Sequence, residues 1–535
     1  MKIKVSKPFK TSFAENIFKA KYSNGRTWGE NARLLVYEVC REHMPISEME
    51  ELVVLISEMK FIPAGRYLYY AGQEASFYNN CFCLGAKEDT REEWARLTGD
   101  AMSCLMSGGG IGVDYSIFRP SGSYLGRTGG TASGPIPLMK TMNEVGRNVM
   151  QGGSRRSAMY ASLLWSHGDI MEFLTSKNWS KEVRDLKAKD FNFPATLDMT
   201  NISVNYDDAF FEAIASEDAK AIEIWTTNIK LMLTTAEPGM SFNLGVHALE
   251  TLRNACAEFI SDDDSDVCNL GSVNMGNIDN LFDFCRACYL GSKFLVCGGE
   301  KADLPYERVR EVREKNRKIG LGIMGVHEWL LRKGYRYEMN DELGAWLDRG
   351  YVKAGEAGAN EISDDMGINR PNRYRAIAPT GTIGIMASTT TGIEPLYAVA
   401  YKRRYLTNGD QWNYEYIIDA TAEMLIQQYD LDPDDIETAA SLANDPERRI
   451  KFQYEVQKYV DMGISSTINL PPFSKQKFTP EEFSSILLRY AKGLRGMTVY
   501  PDGARGGQPL TVVPYNEAKR RMGIVYSERI PECDT

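Results

Sequence analysis

Apolar and polar positions recur with different periods along this chain of 535 residues. From Glu48 to Met59, the residues Met49, Leu52, Val53, Leu55, Ile56 and Met59 follow helical spacing. They predict an amphipathic helix within a small helical region over residues 1–60. Residues 61–180 are rich in glycine and small polar residues. The stretch 206–260 reads as helix and then a loop, and 303–335 reads as helix. From Ala376 a short apolar strand leads into Pro379-Thr380-Gly381-Thr382-Ile383 and a helix-compatible run. Residues 413–495 read as mostly helical, and Gly496–Tyr500 as a strand closed by the turn Pro501-Asp502-Gly503. The polar residues from Gln508 onward read as a mobile tail. The pattern gives an α/β chain with a helical region at 1–60, a large body at 61–510 and a tail at 511–535.

Composition narrows the functional classes. A hydrophobic fraction of 43% and a charged fraction of 25% are those of an ordinary globular protein. A net charge of −10 argues against a broad nucleic-acid surface, so no DNA binding is expected. No run of 18 apolar residues occurs and the N-terminus lacks the apolar core of a signal peptide, so neither a membrane span nor export is expected. Ten cysteines in this length suggest thiols in a reducing cytoplasm (the host's, for a viral chain) rather than a disulfide scaffold. The four histidines, His43, His167, His247 and His327, show no metal-ligand spacing. Cys285-Arg-Ala-Cys288 with Cys297 hints at zinc, but a structural site wants four ligands, so core cysteines and no metal are expected.

Candidate chemistry centres on Asn254-Ala-Cys256-Ala-Glu258. In an extended loop alternate side chains share a face, which would turn amide, thiol and carboxylate to one site. The thiol can act as nucleophile or one-electron oxidant, the carboxylate can move a proton, and the amide can hold a hydroxyl. The alternative is a core cysteine beside a surface acid. Cys268 follows twelve residues after Cys256, and Asn79-Asn80-Cys81-Phe82-Cys83 lies upstream. Glycine-rich stretches at 107–113 and 151–156, the second ending in Arg155-Arg156, suit a close backbone approach to a ligand and a clamp on phosphate. Taken alone, each also suits a tight turn. The Thr380-Gly381-Thr382 stretch suits an oxyanion at a helix start, or a plain capped helix. Gly320-x-Gly322-x-x-Gly325 matches a dinucleotide fingerprint, which would make a nicotinamide-dependent dehydrogenase the alternative function; a charged helical run precedes it where a strand is required.

The order of these motifs over residues 60–510 resembles the catalytic subunit of ribonucleotide reductase, in a compact form without the N-terminal ATP-binding module. The resemblance implies a ten-stranded α/β barrel with a central finger loop. It implies thiyl-radical reduction of ribonucleotides, as diphosphates or triphosphates, to deoxyribonucleotides for DNA synthesis. Cys256 resembles the thiyl-forming cysteine, with Glu258 at the 3′-hydroxyl proton and Asn254 beside it. Cys81 and Cys268 match the pair that closes as a disulfide. Thr380, Gly381, Thr382 and Ile383 resemble the substrate-phosphate loop. Asp89-Thr90, the 116–131 segment with Arg119, and the 152–158 loop with Arg155 and Arg156 resemble the parts that bind a dNTP or ATP specificity effector. A homodimer and a thioredoxin- or glutaredoxin-type reductant are also implied.

Two departures bear on mechanism. The C-terminal cysteine pair of many relatives is absent, and Cys533 stands alone there. The radical initiator lies outside the chain. The Cys256-to-Cys268 step and Tyr500-Pro-Asp-Gly resemble the adenosylcobalamin-dependent class. Compact size, with Tyr500, Tyr515 and Tyr526, equally suits a metal-radical small subunit.

Overall fold

A computed structural model describes residues 8–149, 157–190, 193–407, 411–504 and 510–529. The N-terminal region is helical: α1 (Ser12–Lys21), α2 (Trp28–Cys40) and α3 (Ile46–Ser57). Thr27 and Glu30 close a capping box that fixes the start of α2. The apolar stripe of α3 buries Met49, Leu52, Val53, Leu55 and Ile56, and the helix stops at Ser57, with Met59 in a left-handed turn beyond it.

Sixteen strands follow among the described residues: β1 (Phe61–Pro63), β2 (Cys81–Gly85), β3 (Gly110–Asp114), β4 (Met159–Leu164), β5 (Thr200–Asp207), β6 (Gly239–Asn243), β7 (Leu252–Arg253), β8 (Ile260–Ser261), β9 (Asp266–Asn274), β10 (Ile319–Met324), β11 (Ala400–Thr407), β12 (Gln411–Ile418), β13 (Thr467–Leu470), β14 (Gly496–Pro501), β15 (Leu510–Val512) and β16 (Val525–Arg529). Ten of them form one mixed sheet in the order β1-β9-β2-β3-β4-β5-β6-β14-β13, with β10 parallel to β9. Strands β2 to β6 run parallel, joined by helical crossovers. They are buried almost throughout, as parallel strands covered on both faces must be. Single bridges join Leu321 of β10 to Arg375, and Ile377 to Ile464 just before β13.

Several expected elements differ. The 206–260 stretch does hold two helices, Asp208–Ala215 and Ala219–Thr235, but β5 and β6 flank them and the loop is a hairpin, β7–β8. Between helices Glu307–Asn316 and Val326–Arg332 lies the buried strand β10, not continuous helix. The stretch from 413 begins within β12, whose Tyr414, Tyr416 and Ile418 alternate as a strand requires. The expected tail folds from Leu510 to Arg529: β15 and β16 flank β11 and β12 in a four-stranded sheet, and Ala518 of helix Tyr515–Arg521 packs on Ala400, Tyr416 and Ile418. Cys285, Cys288 and Cys297 share the helix Leu281–Lys301, the last two buried in the core. No described helix is long and apolar enough to cross a membrane.

Candidate active site

Cys81 opens β2 and Cys268 lies in β9, and the antiparallel register sets them directly opposite each other. Opposed residues in such a pair have Cα atoms about 4.5–5.5 Å apart, within the range a disulfide spans. Cys83 stands opposite Asp266 instead. Both Cys81 and Cys268 are free thiols, buried to 2% and 1% exposure. Gly320 of β10 makes room for the second: a Cβ there would lie 2.3 Å from the Leu270 side chain and 3.2 Å from Cys268 Sγ.

The β7–β8 hairpin carries the amide–thiol–carboxylate trio and brings its Asn254 and Glu258 to Cys81. It does so by a tight turn, not by the extended alternation expected from sequence. Ala257 adopts φ 63°, its N–H donates to Asn254 O at 3.0 Å, and the Asn254 N–H donates to Phe259 O at 3.1 Å. Asn254 Oδ1 accepts the Phe259 N–H at 3.0 Å, so the amide side chain caps its own turn. Two glycines admit the hairpin: a Cβ on Gly112 of β3 would meet Arg253 O at 1.7 Å, and one on Gly463 would meet Ala257 O at 2.3 Å. Asn201 of β5 donates to Ala255 O at 3.1 Å, and the Gly463 N–H to Glu258 O at 2.8 Å. The turn thus touches elements from across the sheet.

Within the turn, Asn254 and Glu258 are buried while Cys256 is exposed. Asn254 Nδ2 donates to Cys81 Sγ at 2.9 Å, and the Cys81 thiol donates to Glu258 Oε1 at 3.6 Å. Glu258 Oε2 is buried with no hydrogen-bond partner. Burial pushes the Glu258 carboxyl up to about 7, against the pull of hydrogen bonds from its own backbone, Asn254 and Cys81. Burial, then neighbouring carboxylates, push the thiols of Cys81 and Cys268 well above their ordinary value, so both keep their hydrogens at neutral pH. The arrangement is a pair of protonated thiols beside a carboxyl poised near neutrality.

This carries a stability prediction. Glu258 titrates near 4.5 when unfolded and near 7 when folded, so the native state holds the extra proton between those values. Its contribution is intact below pH 4.5 and is lost through the window up to pH 7. The shift is worth about 3 kcal/mol. Denaturant titrations should show wild type losing about that much more stability than Glu258→Gln between pH 4.5 and pH 8. Parallel pH profiles for the two proteins would contradict the buried, uncompensated carboxyl.

The other expected site residues fall as follows. Thr380, left-handed at φ 51°, is the N-cap of a short helix, Gly381–Ala387. Its hydroxyl accepts the Gly392 N–H at 2.8 Å and makes no cap bond. Gly381 is exposed, Thr382 half-buried and Ile383 buried. Asp89 is ion-paired with Arg119, and Arg119 Nη2 also reaches Asp89 O at 3.3 Å. Thr90 caps helix Arg91–Met106 through the Glu93 N–H at 3.3 Å. Arg155 and Arg156 lie outside the described residues. The glycines of the dinucleotide fingerprint do not form a phosphate loop. Gly320 and Gly322 lie inside β10, and at Gly325 a Cβ would meet Asn274 Oδ1 at 2.4 Å. The nicotinamide reading is thereby corrected, because no open loop exists there to receive a pyrophosphate.

The sequence pattern of the ribonucleotide reductase barrel domain matches residues 79–219, 205–349 and 365–500. The chain belongs to the ribonucleotide reductase family. It is 27% identical over 526 residues to the vitamin B12-dependent ribonucleoside-diphosphate reductase of Mycobacterium tuberculosis, covering 86% of this chain and 73% of that one. The protein of that name from Thermoplasma acidophilum is 29% identical over 87% of this chain and 66% of its own. A putative adenosylcobalamin-dependent ribonucleoside-triphosphate reductase of Mycobacterium phage D29 is 26% identical over 81% and 72%. Among solved structures, the class Id ribonucleotide reductase alpha subunit of Actinobacillus ureae superposes with a TM-score of 0.74 at 17% identity, covering 93% of this chain and 99% of that one; this likeness bears on the fold. The candidate residues Asn254, Cys256, Glu258, Cys81 and Cys268 were singled out from sequence by their residue types and by the resemblance to ribonucleotide reductase. Sequence reasoning missed Gly463, whose place against the turn only the folded chain reveals; Gly112 had been noted only as part of a glycine-rich stretch.

Proposed function

We propose that this chain is the catalytic subunit of an adenosylcobalamin-dependent ribonucleotide reductase. The observation that carries the reading is the convergence of Cys81, Cys268, Asn254 and Glu258 in a buried site, with Cys256 exposed on the same turn. Adenosylcobalamin, when bound, supplies the one-electron oxidant, and exposure of Cys256 fits a source that approaches from outside the chain. The three sequence relatives from Mycobacterium tuberculosis, Thermoplasma acidophilum and Mycobacterium phage D29 carry vitamin B12 or adenosylcobalamin in their names. They lend no support to a metal-radical small subunit.

In this mechanism the Cys256 thiyl takes the ribose 3′ hydrogen at the start and the Cys256 thiol returns it to C3′ at the end, which regenerates the thiyl. Glu258, near its midpoint at neutral pH, accepts the 3′-hydroxyl proton, and Asn254 orients the oxygen. The 2′-hydroxyl leaves as water. Cys81 and Cys268 together give two electrons and two protons and close as a disulfide, which an external dithiol protein of the thioredoxin or glutaredoxin type then reduces. The large sheet closes into a ten-stranded α/β barrel with the hairpin as its central finger. The bridges from β10 through Arg375 and Ile377 toward β13 support that closure. The body at 61–510 is then one catalytic unit, with the helical region packed beside it from residue 8 onward. A dNTP or ATP specificity effector binds around Asp89, Thr90, Arg119, Arg155 and Arg156, with Arg155 reporting its identity to the substrate base, in a cytoplasmic homodimer.

The test of the radical source is direct. Ribonucleotide incubated with the reduced protein and a dithiol should yield deoxyribonucleotide only when adenosylcobalamin is added. A requirement for a separate metal-bearing protein would refute the assignment. The phosphate loop gives a further prediction. Because Thr380 is buried while Thr382 is half-buried, Thr382 is the better placed donor to a substrate phosphate. A hydrogen bond to a charged oxygen contributes roughly 1.5–3 kcal/mol, so Thr382→Val should lower kcat/KM about 10- to 150-fold for ribonucleotides. A nucleoside without phosphate should be indifferent to the change. Unaltered kcat/KM in this variant would make the loop structural only.

A further inference from the structure

We propose that two buried cations, Arg253 and Lys318, are positioning residues: they fix the height of the β7–β8 hairpin, and so the meeting of Asn254 and Glu258 with Cys81. The inference rests on the reading of that turn as the reacting element. Arg253 immediately precedes Asn254 and has no exposed surface. Its guanidinium ties three separate pieces of chain together. Nη1 donates to Glu250 O at 3.0 Å on the approach to the hairpin. Nη2 donates to Asn243 Oδ1 at 2.7 Å at the end of β6, and to Arg495 O at 2.9 Å ahead of β14. The planar fork of an arginine can meet acceptors in several directions at once, which a lysine ammonium cannot copy from the same place.

Lys318 does the same for the other strand. Its side chain is 2% exposed, and Nζ donates to Ser261 Oγ at 2.8 Å and Ile260 O at 3.3 Å, with Asp266 Oδ2 at 2.8 Å. The hairpin register pairs Arg253 with Ile260 and Leu252 with Ser261. One cation therefore grips each strand at the same level, directly below the turn. Strands of two residues hold a hairpin only weakly by themselves. A buried cation is costly unless its acceptors are met, so each cation accepts only one position of the hairpin. The Arg253 carbonyl, seated where a Cβ on Gly112 would be, leaves no slack on the third side.

Arg253→Met and Lys318→Met keep an apolar stem and remove the donors. Each should lower kcat for ribonucleotide reduction about 100-fold, the scale of a small misplacement of reacting groups, with KM changed less than about threefold. Arg253→Lys and Lys318→Arg should recover part of the loss. A second readout needs no substrate: hydrogen–deuterium exchange at the amides of Asn254, Ala257 and Phe259 should speed up about tenfold or more in the methionine variants as the turn loosens. If a methionine variant does not fold, Asn243→Ala, which removes a single acceptor of Arg253, is read by the same exchange and should also accelerate it. Wild-type kcat in both folded methionine variants, or unchanged exchange at those three amides in the folded variants, would overturn the proposal. Faster exchange in the variants of a protein whose wild type reduces no ribonucleotide would keep the positioning role and remove the reaction assigned to the turn.

Discussion

Cys256→Ser should lose ribonucleotide reduction by at least about four orders of magnitude, the scale seen when the reacting group of a covalent mechanism is removed. Serine is nearly isosteric but offers no easily oxidised S–H bond. Because Cys256 is exposed, the replacement opens no cavity, and stability should change by less than about 0.5 kcal/mol. Ribonucleotide affinity should stay within a few-fold, since the neighbouring turn hydrogen bonds from Asn254 and Phe259 do not involve the thiol. The combination is diagnostic: intact fold, intact binding, no product. Turnover at even a hundredth of the wild-type rate would remove Cys256 from the chemistry.

The second large effect belongs to the buried thiols. Either Cys81→Ser or Cys268→Ser should abolish multiple turnovers, because reduction then lacks one of its two electron donors. Cys81 carries the larger local role, since it accepts from Asn254 and donates to Glu258. A serine hydroxyl at position 81 would bond the carboxylate more strongly than a thiol does and draw the Glu258 titration back below about 7. The Cys268 variant should leave that titration in place, so the two differ in pH dependence while sharing the loss of turnover. Peptide maps of oxidised wild type should join Cys81 to Cys268, as the register directs. A dominant Cys83–Cys268 link would break this account, because Cys83 faces Asp266 and sits diagonal to Cys268, where Cα atoms are about 7–8 Å apart.

Much of the site was legible in the sequence because reactive residue types are scarce and their order is informative. Asn254, Cys256 and Glu258 at alternate positions, with cysteines far upstream and twelve residues downstream, already suggest radical or redox chemistry. Of the three, Asn254 and Glu258 meet at Cys81 while Cys256 is exposed on the same turn, and the geometry differs from the expected one. An extended loop was expected, and a turn with a left-handed alanine does the work; Ala257 gives no glycine or asparagine signal for it. The fold was legible where period and burial agree, as in α3 and β14. It failed where tertiary packing decides. β10 reads as glycine-broken helix because its glycines answer to Leu270, Cys268 and Ala376, which are distant in sequence. The tail looked too polar to fold because its few apolar residues, such as Ala518, find their partners on β11 and β12. Thr380 looked like a phosphate ligand of the same standing as Thr382, and the fold separates them by burying Thr380 and leaving Thr382 half-buried.

One experiment tests the central claim most directly. Fully reduced enzyme is given ribonucleotide and adenosylcobalamin with no external thiol, and deoxyribonucleotide and disulfide are counted together. The account predicts about one deoxyribonucleotide per chain, accompanied by loss of the thiols of Cys81 and Cys268 in equal amount and their recovery as one linked peptide pair. Deoxyribonucleotide formed while Cys81 and Cys268 remain free thiols would contradict it, as would a ribonucleotide left unchanged by enzyme with adenosylcobalamin bound.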